Sequence, residues 1–222
     1  MFLQEKTWEE TWGTVDWKRP NMAIQQVSSF LKMWTDTEIK DPKGETVFMK
    51  AALTGNLKSC ALLLKAGANI NAVNNEGKST LILAIEQHRH RNTCAFVKKL
   101  IGAGTDINLQ DKGGNNALMH AVMQRLHSVI QVLIDHKSDL NQENYRQETA
   151  LALALKGRDE VATVMLLNAG ASSGNPWSMY VPKCFRERVE QGVGKSPMSP
   201  QNTSPYLVAK QSGPGKDHQN KR

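Results

Sequence analysis

His88 and His90 stand on either side of Arg89 in the run EQHRHRNTCAF at 86–96, with Cys94 just beyond. Imidazole nitrogen and thiolate sulfur are ligands that zinc favours, and a thiol beside an imidazole is also the pairing used for nucleophilic catalysis. A zinc site needs at least a third protein ligand and groups that orient the rings, and two histidines at i, i+2 supply neither. Elsewhere His120 and His127 are isolated in apolar surroundings and read as structural histidines. Asp135 and His136 adjoin at a helix end, where an exposed charge pair is expected. The chain contains no phosphate-binding G-x-x-x-x-G-K-[ST], no G-x-G-x-x-G after a strand, no H-E-x-x-H and no G-x-S-x-G. No catalytic, metal or cofactor site is expected, and the role of the histidines depends on what their segment interrupts.

What it interrupts is a repeat. GETVFMKAA begins at Gly44, GKSTLILAI at Gly77, GNNALMHAV at Gly114 and QETALALAL at Gln147, in steps of 33, 37 and 33 residues. Each is followed by a second apolar run with its own ending: CALLLKAGANIN, VKKLIGAGTDIN, IQVLIDHKSDLN and TVMLLNAGAS. Small residues such as Ala51, Ala84, Ala121 and Ala154 let one short helix pack closely, and Leu63, Leu100, Leu133 and Leu166 mark the apolar stripe of its partner. Gly67, Gly104 and Gly170 then end the second helix in a left-handed conformation, and Lys137 stands at that place in the third unit. The distance from the end of the first Ala-rich helix to the helix-ending residue is 15 in three units but 19 from Ile85 to Gly104. Four residues are inserted there, and His88, Arg89, His90 and Arg91 fill the lengthened inter-helix loop.

Over residues 41–173 the pattern resembles the ankyrin repeat, D-x-x-G-x-T-P-L-H-x-A-A followed by a helix ending L-L-x-x-G-A-D-x-N. The resemblance implies an all-α ankyrin-repeat solenoid of stacked helix-turn-helix units with hairpin-like finger loops, starting near 41, 74, 111 and 144 and reaching 177. One unit cannot bury its apolar face alone, so neighbours must stack. The family's histidine after the T-P-L triplet is replaced by Met49, Ile82, Met119 and Ala152, which puts its inter-finger hydrogen bonding in question. The register extends backwards through Val27, Phe30 and Leu31, so residues 22–40 read as a degenerate N-terminal capping repeat with a helix over 22–33. Thr7 and Glu10 have capping-box spacing, which predicts a short helix in the Trp-rich segment 1–21, its Trp8 and Trp12 covering the end of the stack.

The resemblance also implies where a partner would bind: the concave face formed by finger tips and first helices. In this chain that face is Lys43, Glu45, Leu53, Glu76, Lys78, Lys112, Asn115, Met123, Tyr145, Arg146 and Glu148. Basic and acidic residues alternate along it, which suits a protein surface and lacks the coherent basic stripe that duplex nucleic acid requires. A looser likeness to the ankyrin half of the oligoadenylate-activated ribonuclease implies rings after the finger glycine, but Glu45, Lys78, Asn115 and Glu148 offer none, and nucleotide binding is not carried over.

The net charge of +7 is uneven: residues 1–40 contribute −1, 41–177 contribute +3 and 178–222 contribute +5. The last segment is rich in Pro, Ser and Lys and reads as a flexible basic tail, with a short helix over 183–191 and Ser196, Ser199 and Ser204 before prolines as phosphorylation candidates. Such a tail could attract nucleic acid or an acidic surface weakly, or the chain could serve as an adaptor in a larger complex. Three unpaired-looking cysteines, charge at Glu5 and Lys6 and no long apolar run predict a cytoplasmic or nuclear protein without membrane association. The expected partner is another protein, with no small-molecule substrate, no cofactor and a monomeric chain.

Overall fold

The computed structural model describes residues 7–33, 36–87 and 93–172. The inserted His88–Arg91 and the segment after Ser172, with the short helix expected over 183–191 and the candidate serines Ser196, Ser199 and Ser204, lie outside the described residues.

Nine helices form two rows among the described residues. The inner row is α2 (Val47–Leu53), α4 (Thr80–Gln87), α6 (Ala117–Met123) and α8 (Ala150–Lys156), each packed on the next. The outer row is α1 (Pro20–Lys32), α3 (Leu57–Lys65), α5 (Thr93–Gly102), α7 (His127–Asp135) and α9 (Glu160–Asn168). Inner and outer helices pair antiparallel within each unit, and one apolar core runs the length of the stack through Phe48, Leu81, Leu118 and Ile130, all essentially sealed from solvent. Each such side chain stabilises the fold by about 1.5–3 kcal/mol relative to exposure.

Local sequence explains each element's ends. Thr46, Asn116 and Thr149 cap the inner helices, their side-chain oxygens accepting the N–H of Met49, Met119 and Ala152. Four of the outer helices, α3, α5, α7 and α9, close on a left-handed residue, after which the N–H groups of Ala68, Thr105, Ser138 and Ala171 donate to the carbonyls of Leu63, Leu100, Leu133 and Leu166. Lys137 adopts this conformation with φ 59°. Arg125 and Arg158, between inner and outer helices, stand left-handed where the first unit has Gly55.

The insertion is shared out. The other units leave 54–56, 124–126 and 157–159 between their helices, whereas α4 and α5 are each one residue longer than their counterparts, so at least two of the four extra residues extend helices.

In the Trp-rich segment, where a short helix is expected, residues 8–11 form a turn that leads into a 3₁₀ helix, Trp12–Thr14. Half of the predicted capping box is present, Thr7 N–H donating to Glu10 Oε2 at 3.2 Å. The chain turns inward after one turn because burying Trp12 outweighs extending the helix. Trp12 is fully buried, meets Phe30 edge to face at 5.4 Å between centroids and donates from Nε1 to the Asp36 carbonyl at 2.8 Å.

Candidate partner-binding face

Each finger is built on its first residue. Oδ1 of Asp41, Asn74, Asp111 and Asn144 accepts two backbone N–H groups, from the second and fourth residues after it, which folds the loop into a tight projecting turn. Gly44, Gly77 and Gly114 follow with φ of 74–78°, and Gln147 takes the same place at 59°. Fingers are tied to their neighbours by backbone: Asn75 N–H donates to the Lys43 carbonyl, Lys112 to Glu76 and Tyr145 to Gly113, at 3.0, 2.9 and 3.2 Å. These bonds need no histidine after the finger, so that position is free to be apolar, and Met49, Ile82, Met119 and Ala152 are all buried.

The eleven residues expected on the face divide into three groups. Lys43, Glu76, Lys112, Met123, Tyr145 and Arg146 are exposed, Tyr145 at 75% and Met123 at 47%. Leu53, Lys78 and Asn115 are half-buried, while Glu45 and Glu148 are turned inward, 6% and 7% exposed. Lys50 holds Glu45 at 2.5 Å and Asp41 at 2.7 Å; Lys156 holds Glu148 at 3.0 Å. Those two glutamates brace fingers against inner helices and offer a partner little.

A finger-to-helix code underlies this. Where the finger begins with aspartate, the inner helix carries a basic residue nine positions on: Lys50 for Asp41 and His120 for Asp111, whose Nε2 and Oδ2 lie 2.8 Å apart. Where it begins with asparagine, the same helix position is Leu83 or Leu153. Lys78 and Glu86, at 2.9 Å, repeat the Glu148–Lys156 pairing with the charges exchanged. His120 also lies 3.3 Å from Glu86, and His127 meets Asp159, the cap of α9, at 2.8 Å, so both histidines link neighbouring units. Asp135 and His136 do not pair; Asp135 accepts from Gln131 and His136 Nδ1 lies against the Val132 carbonyl. Burial pushes the carboxyls of Asp41, Asp111, Glu148 and Asp159 up, but their N–H donors and cationic partners outweigh it, leaving each below its ordinary range.

Among the described residues no cluster of three or more metal-ligating side chains occurs. Cys60 is a buried free thiol, pushed up to about 12 by desolvation, and Cys94 is half-buried with Sγ 3.7 Å from the Ser128 carbonyl. Cys60 is thus unsuited to nucleophilic attack.

Between the third and fourth units the face deepens into a cavity of about 500 Å³. Four residues of the expected face, Asn115, Met123, Arg146 and Glu148, line it together with Lys156. Arg125, Asn144 and Gly157, which the expected face did not include, also line it, and Arg125 donates from Nη2 to the Gly157 carbonyl.

A family model for ankyrin repeats (3 copies) matches residues 21–96 and again 89–175. The chain is an ankyrin-repeat protein. Its ankyrin units are 32% identical over 124 residues to the mouse B-cell lymphoma 3 protein homolog, covering 55% of this chain and 27% of that one. Against the chicken nuclear factor NF-kappa-B p105 subunit identity is 27% over 145 residues, 63% of this chain and 14% of the relative. A putative ankyrin repeat-containing protein of Treponema pallidum is 27% identical over 113 residues, 51% of this chain and 37% of its own. The chain thus corresponds to well under half the length of each. Ankyrin repeats generally mediate protein–protein interaction and are generally not enzymes. Among the described residues no helix is long and apolar enough to cross a membrane.

Proposed function

We propose that this ankyrin chain is a non-catalytic binding module that grips a partner protein, in the cytoplasm or nucleus, through its concave face. The observation that carries the reading is the groove between the third and fourth repeats, where a Met123 side chain 47% exposed lies beside an exposed Arg146. Tyr145, on the adjoining finger tip, projects a ring that is 75% exposed. Aromatic residues, methionine and arginine are enriched at interfaces, and a soluble chain gains no folding stability by leaving such side chains open. The contacts of Glu45 and Glu148 with lysines of the inner helices fit bracing, so the gripping residues reduce to Lys43, Glu76, Lys112, Met123, Tyr145 and Arg146, with Leu53, Lys78 and Asn115 beneath them.

The test is affinity purification with mass spectrometry, comparing wild type with Tyr145→Ala/Arg146→Ala. Both side chains are exposed, so the melting temperature should hold while specific partners disappear. An unchanged partner set, with folding intact, overturns the assignment of this face.

A further inference from the structure

The charges around the third-to-fourth groove are sorted by depth. Its lining carboxylates are Glu148 and Asp159, 7% and 4% exposed, each already held by Lys156 or His127. Its lining cations, Arg125, Arg146 and Lys156, are all exposed, and Lys112 stands exposed on the neighbouring finger tip. Neither Lys112 nor Arg146 has a carboxylate within ion-pair distance among the described residues. Arg125 gives one N–H to the Gly157 carbonyl, and a guanidinium has five donors, so its charge stays available. A partner entering here touches cations, while the acids lie beneath, Glu148 paired with Lys156 and Asp159 engaged by His127 and the first turn of α9. The second finger has the opposite order: exposed Glu76 lies over half-buried Lys78, with Glu86 below. The second finger therefore presents the opposite charge to the fourth. Between the cations of the groove the floor is apolar, formed by Met123 and half-buried Leu153.

We propose that this groove receives an acidic segment of a partner protein that carries one apolar side chain, its carboxylates meeting Arg146, Lys112 and Arg125 and its apolar group resting on Met123 and Leu153. This rests on the concave-face reading above and assigns the chemistry of what that face accepts. Complementary charge would speed encounter and set the register, and the apolar contact would slow release.

The test is selection of random phage-displayed peptides on the full chain at low salt. The expected sequences are rich in Asp and Glu around one aromatic or aliphatic residue. Their synthetic versions should bind about tenfold or more weakly to Lys112→Glu/Arg146→Glu, and weaken as salt rises from about 0.05 to about 0.3 M. Both substituted side chains are exposed, and an unchanged melting curve confirms folding. Neutral or basic peptides whose binding is lost in Tyr145→Ala/Arg146→Ala would overturn the acidic partner and leave the concave-face reading standing. Peptides indifferent to every finger substitution, or no enrichment over bare support, would overturn both.

Discussion

Lys137 closes α7 at φ 59°, where glycines 67, 104 and 170 close α3, α5 and α9. At those three glycines an added Cβ would meet nothing within 4 Å, so the position is open and only backbone conformation separates lysine from glycine. A side chain held left-handed costs about 1 kcal/mol, which for a domain of this size is about 2–4 °C of melting temperature. Lys137→Gly should therefore raise the thermal midpoint by that amount, and an unchanged or lowered midpoint would contradict the argument. The finger glycines obey a different rule. A Cβ on Gly114 would stand 2.6 Å from the Tyr145 nitrogen, and one on Gly44 2.6 Å from the Asn75 nitrogen, because the next finger is laid directly on them. Gly114→Ala should thus lower the midpoint by more than Lys137→Gly raises it. Gln147 takes the equivalent place at φ 59°.

Three ties run from finger to inner helix, Asp41 to Lys50, Asp111 to His120 and Glu148 to Lys156, and a fourth joins Asp159, the cap of α9, to His127 of α7; all share one dependence on pH. Each carboxyl is held below its ordinary value in the folded chain. A group whose folded pKa is depressed stabilises the fold above its unfolded value, about 4, and that stability is lost as pH falls through the folded value. The melting temperature should hold from neutral pH down to about 5 and then fall. Asp41→Asn/Asp111→Asn reproduces what Asn74 and Asn144 already are, keeping the two N–H bonds at each finger start while removing two of the titrating groups. Its acid-induced drop in midpoint should be smaller than wild type's, and equal drops would sink the explanation. These ties also mark how far the sequence could be read. The repeat and its helices were legible because a 33-residue step carries the small, apolar and left-handed positions with it. The fate of Glu45 and Glu148 was not, since register alone gives both the appearance of exposed finger residues. Whether a finger glutamate faces out depends on a lysine five or eight positions later, on another element. The same holds for Arg125, which lines the groove and donates to the Gly157 carbonyl of the next unit.

At the scale of the stack, stability is a row of local couplings: among the described residues, the helices in close contact belong to the same unit or to adjacent ones. The inner row is evenly joined, α2 to α4 to α6 to α8, but in the outer row α3 and α5 approach less closely than α1 and α3, α5 and α7, or α7 and α9. The loosest joint therefore falls at the unit that carries the insertion. A ladder along the finger bases does cross it: the N–H of Asn69 donates to Glu38, that of Asp106 to Asn71, that of Asp139 to Asn108 and that of Ser172 to Asn141. These bonds are exposed and exchange readily with water, so they couple units weakly beside a buried helix contact. Trp12 tests the arrangement from one end, since its ring is fully buried against Phe30 and its N–H holds Asp36. Trp12→Ala removes about 3–5 kcal/mol of packing, a large part of the stability of an ordinary domain. In a globular core that loss would weaken protection everywhere; in a row it should stay near the end where it is made. Hydrogen exchange read by mass spectrometry should show α1 to α3 losing protection in Trp12→Ala while α6 to α9 keep theirs, with the boundary between α3 and α5. Uniform loss through α9 would mean that the units fold as one cooperative block, and the groove between the third and fourth repeats could not then be separated from the N-terminal end.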